Sequence, residues 1–343
     1  MNWRMLLFPF SILYGMVTAV RNFLYDGGVL RSASFEKPVI LVGNLSMGGT
    51  GKTPHVEYLI RLLQDRYRVA TLSRGYGRQS KGFQLAGADA SSAQLGDEPF
   101  MYHRKYPNIQ VAVCVNRGAG LQRLFASTDG CEVVLMDDGY QHRSVTPSLQ
   151  ILLTPHGSRF TQDHVLPMGN LREPRSGYWR ADIIMVTGCP QGLTENEKHT
   201  IIEEIKPLPT QHVFFSRIAY ASPVAFSNSS DTIDSNSEVV AFAGIAHPGT
   251  FFHHAATLGK SLHTYTYADH HRYTANEIQR IINSHPSNTV FVTTEKDFVR
   301  LQSDGLLSLF AKHSACYVPI QIQIDRQDAF HAMILKHVAG IQD

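Results

Sequence analysis

Gly48, Gly49 and Gly51 stand just ahead of Lys52 and Thr53 in the segment GNLSMGGTGKT of residues 43–53, a spacing suited to holding phosphate. Glycines let backbone N–H groups approach phosphate oxygens. The lysine reaches the β and γ phosphates, and a threonine hydroxyl at a helix N-terminus is a ligand for Mg2+. The loop of Ser46, Met47, Gly48, Gly49, Thr50, Gly51, Lys52 and Thr53 is therefore the expected nucleotide contact. Its surroundings give the motif meaning. Residues 37–42 (KPVILV) form a continuous apolar run of the buried parallel-strand kind, and Val56, Leu59, Ile60, Leu62 and Leu63 follow at helical spacing. A bare glycine turn would need neither neighbour. A second apolar run, residues 131–136, ends in Asp137 and Asp138. A strand that delivers a carboxylate beside the phosphates is the other half of such a site, which makes Thr53, Asp137 and Asp138 candidate metal ligands. Read alone, Asp-Asp-Gly is also an ordinary polar turn.

The stretch between these motifs is rich in groups that could handle an acceptor: SRGYGR at 73–78, GDEP at 96–99 and NRG at 116–118. A planar guanidinium binds anions through paired donors, which suits an anionic acceptor. Asp97 could take the proton of an attacking hydroxyl, although Asp-Glu-Pro is equally a helix start. QHR at 141–143 and GNLREP at 169–174 follow. With 17 histidines in the chain most must be structural, and no HExxH spacing occurs. Guanine-selective sites carry [NT]KxD. The nearest segment, TEKD at 294–297, has its lysine one place late, which argues against guanine selectivity.

The 343 residues carry a net charge of +2, too weak a field to suggest nucleic-acid binding. Cys114, Cys131, Cys189 and Cys316 are widely spaced, so neither a disulfide framework nor a zinc ribbon is expected and a reducing cytosol fits. Residues 5–20 are apolar and uncharged. The run is short for a spanning helix and is interrupted by Pro9, Ser11 and Gly15. It reads as a helix lying in a membrane interface, with Trp3, Phe8, Phe10, Tyr14 and Phe23 at headgroup depth and Arg4, Arg21 and Arg31 toward anionic lipid. A signal peptide is the rival reading, but its cleavage site is poor. Burial of this helix against its own domain is the plain one.

Taken together, VGNLSMGGTGKTP, SRGYGR, GDEP, DDGYQHR, GNLREP, the Ala268-Asp-His270 segment and TTEKD resemble the tetraacyldisaccharide 4'-kinase family, LpxK, over most of the chain. The resemblance makes a family trait of Ser46, which stands where the loop pattern GxxxxGK[ST], counted back from Lys52, has its first glycine. It implies transfer of the γ-phosphoryl of ATP, with Mg2+, to the 4'-hydroxyl of tetraacyldisaccharide 1-phosphate, forming lipid IVA in lipid A biosynthesis. The implied partners are that lipid A disaccharide precursor and the lipid surface on the cytoplasmic face of a bacterial inner membrane. Carried over by position, Lys52 and Thr53 serve phosphate and Mg2+, Asp97 is the base, and His270 is its partner. Asp138 is the acid nearest the metal, Asp137 its neighbour and Glu173 a weaker metal candidate. Arg74, Tyr76, Arg117, His142 and Arg172 are acceptor contacts. Tyr140 stands where phenylalanine is expected. The rival is a membrane-cycling ATPase of the ParA and MinD type, whose GGxGKT loop is similar but whose extra lysine would fall at Met47.

The expected fold is α/β. A P-loop NTPase-like parallel sheet domain (25–222) follows the membrane-associated helix (1–24), and a smaller α/β domain (223–313) precedes a return strand and C-terminal helix (314–343). The Ser, Asn and Asp rich stretch within 221–237 reads as an exposed turn or linker. The runs 212–220 and 315–324 could pair as a two-stranded ribbon.

Overall fold

The computed structural model describes residues 3–127, 130–226 and 236–342, so residues 227–235 of the expected linker lie outside the described residues. The elements are α1 (Phe8–Asp26), β1 (Val39–Asn44), α2 (Lys52–Leu63), β2 (Val69–Ser73), β3 (Gln84–Leu85), α3 (Ser92–Leu95), α4 (Asp97–Lys105), β4 (Gln110–Val113), α5 (Arg117–Ala126), β5 (Val133–Asp137), β6 (Leu149–Pro155) and β7 (Ile183–Thr187). They continue with α6 (Glu195–Ile205), β8 (His212–Tyr220), β9 (Val224–Ala225), β10 (Glu238–Ala243), α7 (Gly249–Ala255), β11 (Ser261–Thr266), α8 (Ala275–Asn283), β12 (Val290–Thr294), α9 (Glu295–Ser303), β13 (Ala315–Val318), β14 (Ile320–Ile324) and α10 (Gln327–Gln342). The chain forms two compact units, Met1–Ile218 with Ile322–Asp343, and Ala219–Gln321.

Among the described residues the first unit is built on a nine-stranded sheet in the order β14-β8-β7-β6-β1-β5-β2-β4-β3. From β8 to β4 every pairing is parallel, while at the edges β3 runs against β4 and β14 against β8, where Ala221 N–H donates to Pro319 O and Asp325 N–H to Phe215 O. β1, β5 and β7 are buried along their whole length, as their unbroken apolar sequences require of strands covered on both faces. The chain passes from β1 to β2 on one side and from β5 to β6 on the other, so strand order reverses around β1. That is the switch point where α/β sheets hold ligands, beyond the C-terminal strand ends. Register pairs Val42 with Asp137, which sets the phosphate loop directly beside the Asp137-Asp138 turn.

Arg4–Asp26 is long and apolar enough by length and composition to cross a membrane, and little of it is buried. Pro9 does not interrupt the helix. It sits in the first turn of α1, where a missing N–H goes unused. The polar residues recur three and four apart and face the protein. Ser11 Oγ accepts from Met168 N–H at 2.8 Å, Tyr14 donates to Arg172 O at 3.0 Å and Asn22 to Glu173 Oε2 at 2.7 Å. Arg4 and Arg21, expected to face lipid, instead donate to Asn170 Oδ1 and to Gln141 O. Phe8, Phe10, Leu13, Val17, Val20 and Phe23 are left exposed, Phe23 at 73%. Such a helix is compatible with membrane association.

The chain leaves the first sheet along β8 and returns along its neighbour β14. The run 315–324 is divided at Pro319, which cannot continue a ladder. β13 pairs in parallel with β12 in the second unit, while β14 joins β8. The second unit's sheet has the order β11-β10-β12-β13-β9, parallel except for β9. α8 begins with a reciprocal Thr274–Glu277 cap and packs Ile278, Ile281 and Ile282 beneath it.

Candidate active site

The phosphate loop is anchored from three sides. Gly51, at φ +85°, occupies the left-handed conformation that caps α2 and that a residue with a Cβ adopts only under strain. Its carbonyl takes a hydrogen bond from His55 Nδ1 at 2.7 Å, and His55 Nε2 meets Ser216 Oγ at 2.9 Å. Burial holds the His55 pKa down at about 4, so the ring is neutral and ties the loop to β8. On the second side, Thr187 Oγ1 donates to Thr50 O at 3.0 Å. On the third, the GNLREP segment lies along the loop's start: Met47 N–H donates to Asn170 O at 2.8 Å and Arg172 N–H to Leu45 O at 2.7 Å. Ser46 and Thr50 are buried, whereas Met47, Gly48 and Gly49 are exposed and open to a ligand.

Lys52 Nζ reaches Asn44 Oδ1 at 3.3 Å and Asp138 Oδ1 at 3.5 Å. Asp138 Oδ1 also receives Arg172 Nη1 at 3.3 Å. Asp138 has φ +52°, and this sharp turn sends the two adjacent acids in different directions. Asp137 is buried, with Oδ2 accepting from Tyr102 OH at 3.0 Å and Oδ1 without a hydrogen-bond partner. Its pKa is pushed up to about 7, first by burial and then by the carboxylates of Glu98 and Asp138, with Lys52 opposing. Thr53 Oγ1 donates to Glu98 Oε1 at 3.3 Å, which brings the start of α4 against the phosphate loop. The unmet buried oxygen of Asp137, near the Glu98 carboxylate to which the Thr53 hydroxyl donates, is the kind of hard oxygen donor that Mg2+ takes. Among the described residues no three His, Cys, Asp or Glu side chains gather as a metal-binding group by themselves. A cation here would take its other ligands from phosphate or water.

Glu173 is differently placed. It is buried and accepts from Arg180 Nη2 at 2.9 Å, Asn22 Nδ2 at 2.7 Å and Gln141 Nε2 at 3.0 Å, so its oxygens are occupied by the protein's own donors. Asp97 is the first residue of α4, half-buried, with Gly96 rather than Asp97 as the cap. A Cβ on Gly96 would lie 2.8 Å from Tyr76 O, and that close approach joins GDEP to SRGYGR. Arg74 and Tyr76 are exposed there, Tyr76 at 78%.

Arg117 begins α5 and is 1% exposed. One nitrogen donates to Cys114 O, while Nε and Nη2 are buried without partners. Burial lowers its pKa to about 10, and Asp137, Asp138 and Arg74 act on it in turn. His142 is held near a pKa of about 4 by burial and then by Arg117 and Arg74. Arg74 and Arg117 thus form an electropositive pair beside the two acids, and they help to keep the His142 ring neutral. Tyr140 explains its own substitution, since its hydroxyl donates to Gly177 O at 2.9 Å while Arg180 lies over the ring at 4.7 Å. His270 belongs to the second unit and the rest of these residues to the first.

Sequence reasoning missed Asn44, Glu98, Tyr102 and Gln141. Gln141 Nε2 donates to Asn44 O at 2.9 Å and Arg172 reaches Gln141 Oε1 at 3.4 Å, so Gln141 links three motifs. The first, second and last of the four lay inside quoted motifs. Tyr102 had only its spacing, one helical turn after Glu98.

The family model described as Tetraacyldisaccharide-1-P 4'-kinase, LpxK, matches residues 3–339. The chain belongs to this family. It is 44% identical to the tetraacyldisaccharide 4'-kinase of Flavobacterium johnsoniae, over 98% of the chain and 97% of that protein. It is 40% identical to that of Bacteroides thetaiotaomicron, over 97% and 92%. The "apo" form crystal structure of LpxK from Aquifex aeolicus in complex with ATP superposes with a TM-score of 0.74 at 30% identity, covering 98% of this chain and 99% of that one. The membrane-cycling ATPase reading is not favoured beside these matches.

Proposed function

We propose that the protein transfers the γ-phosphoryl of ATP to the 4'-hydroxyl of tetraacyldisaccharide 1-phosphate at the cytoplasmic face of a bacterial inner membrane. Membership of the LpxK family along nearly the whole chain carries the reading. The 4'-oxygen forms a bond to the γ-phosphorus as the bond to the β–γ bridging oxygen breaks. The electron pair leaves with ADP and the hydroxyl proton passes to Asp97. Lys52 and the loop N–H groups hold the phosphates in line, which is most of what phosphoryl transfer asks of a protein. When bound, Mg2+ neutralises charge on the phosphate oxygens. Thr53 and Asp137 would hold it. The resemblance had favoured Asp138, but Asp138 is already paired with Lys52 and Arg172, whereas Asp137 keeps an unmet oxygen.

Arg117, Arg74, His142, Arg172 and Tyr76 take the acceptor, and the two unmet donors of Arg117 favour an anionic group. His270 assists Asp97. The helix α1 lies in the lipid interface. Its polar stripe is bonded to the protein along much of its length, which suits lying along a surface better than crossing it. The deciding experiment supplies γ-labelled ATP, Mg2+ and tetraacyldisaccharide 1-phosphate in detergent micelles, against micelles without acceptor. Label in the lipid supports the reading. Label released only as inorganic phosphate, equally with and without acceptor, refutes it.

A further inference from the structure

The TTEKD segment, left without a role above, closes on the loop that carries His270. Asp297 is wholly buried, at 0% exposure. Its Oδ2 accepts from Thr294 Oγ1 at 2.6 Å and from Gly244 N–H at 3.1 Å. Its Oδ1 accepts from Arg300 Nη1 at 2.8 Å, and the same nitrogen donates to Gly244 O at 2.8 Å. Arg300, itself buried, then extends Nη2 to within 3.3 Å of His270 Nδ1. The backbone is held by the same residues. His270 N–H donates to Gly244 O at 3.1 Å and to Asp269 Oδ1 at 3.0 Å, and His270 sits at φ +59°. A buried ion pair holding a strained loop residue is a costly arrangement for an ornamental histidine.

A guanidinium has donors only and stays protonated at working pH. Its bond to Nδ1 therefore needs a lone pair there, which leaves the ring proton on Nε2. We infer that Arg300 is a positioning residue that fixes His270 as the Nε2–H tautomer, so that His270 offers a carboxylate a hydrogen-bond donor and does not itself accept the hydroxyl proton. This rests on the proposed role of His270 as the aid to Asp97. Among the described residues Arg300 and Asp269 face the ring, Asp269 Oδ2 lying 3.9 Å from Nε2, and Asp297 stands behind Arg300. His271 turns away to stack on Tyr267 at 4.6 Å and to meet Glu277.

The test is nitrogen NMR on the full chain, labelled with 15N-histidine, in detergent micelles at neutral pH. The His270 signals are assigned by their loss in His270→Ala. An unprotonated Nδ1 with a protonated Nε2 is expected. A protonated Nδ1, or a ring protonated at both nitrogens, overturns the inference. Arg300→Lys should let the ring populate both tautomers and lower kcat about tenfold with KM for ATP unchanged. An unaltered tautomer in that variant also overturns it. The wild-type measurement stands even where the variant fails to fold. If the tautomer is as expected while His270→Ala turns over normally, the inference holds and the catalytic reading of His270 fails. If His270→Ala slows turnover but the tautomer is reversed, the catalytic reading stands and the role of Arg300 falls.

Discussion

Asp137→Asn should make the ligand-free protein more stable and the enzyme nearly inert. The wild-type carboxyl is buried beside Glu98 and Asp138, and its pKa rises from 3.8 to about 7. Above pH 7 the folded protein must hold a charge that it disfavours by roughly 4 kcal/mol relative to the unfolded chain, as an upper bound. The folded state binds more protons than the unfolded one between about pH 4 and 7. Stability from this group is therefore full in acid and is lost as the pH rises through about 7. Asparagine removes the charge and keeps an acceptor for Tyr102. At pH 8 the ligand-free variant should melt several degrees higher, given about 1–2 °C per kcal/mol for a chain of this size. The gain should shrink as the pH falls from about 7 toward 4. The assay is thermal unfolding in detergent across that range, with and without Mg2+ and ATP. Mg2+ with ATP should raise the melting point of the wild type far more than that of the variant, and turnover should fall by about 100-fold or more. Parallel pH curves for the two proteins, or equal stabilisation by Mg2+ and ATP, would refute the assignment of Asp137.

Asp97→Asn should lower turnover by roughly 10²–10⁴-fold, and His270→Ala by less, with ATP affinity kept in both, as equilibrium binding would report. Arg117→Met should raise KM for the lipid acceptor about tenfold or more while sparing the nucleotide, so a matching loss of ATP binding would count against an acceptor role. Replacing Phe8, Phe10, Leu13 and Phe23 together with serine should abolish flotation with anionic vesicles while leaving the melting point within a few degrees, because these side chains are exposed. His55, whose pKa is lowered to about 4, contributes stability that is present above 6.5 and lost as the pH falls toward 4. His55→Phe should flatten that acid limb and raise KM for ATP severalfold, measured by denaturation at pH 5 and 7 and by steady-state kinetics.

The parallel sheet and its phosphate loop were legible because strand, glycines, Lys52 and helix occur in one stretch, and their physical meaning is local. The second strand with its acids was legible for the same reason. Which acid faces a cation was not, since that depends on the φ +52° turn at Asp138 and on where Lys52 and Arg172 reach from elsewhere in the fold. Apolar patterning likewise found α1 but put Arg4 and Arg21 on the wrong side, because acceptors on residues 141 and 169–170 draw them inward. Tyr102 escaped notice as one more aromatic on an amphipathic helix. The division of 315–324 between two sheets was marked by Pro319 and overlooked because the whole run is β-prone.

Glu173 and Asp137 are both buried carboxylates near the phosphate loop, and their surroundings separate structure from chemistry. Glu173 is met by Arg180, Asn22 and Gln141, a set that ties α1, the DDGYQHR turn and the GNLREP segment together. Nothing is left over for a ligand, and removing it would strand a guanidinium. Asp137 has one neutral donor and an empty oxygen beside the carboxylates of Glu98 and Asp138, and Arg117 has two empty donors in the field of Asp137, Asp138 and Arg74. Buried polar atoms without partners destabilise a fold by about 1–3 kcal/mol each. The one at Asp137 would suit a cation and the two at Arg117 an anion, and the two residues lie close enough to influence each other's charge. A phosphoryl-transfer site that brings a metal-bound nucleotide to an anionic acceptor is where such a pair of unmet needs would be filled together.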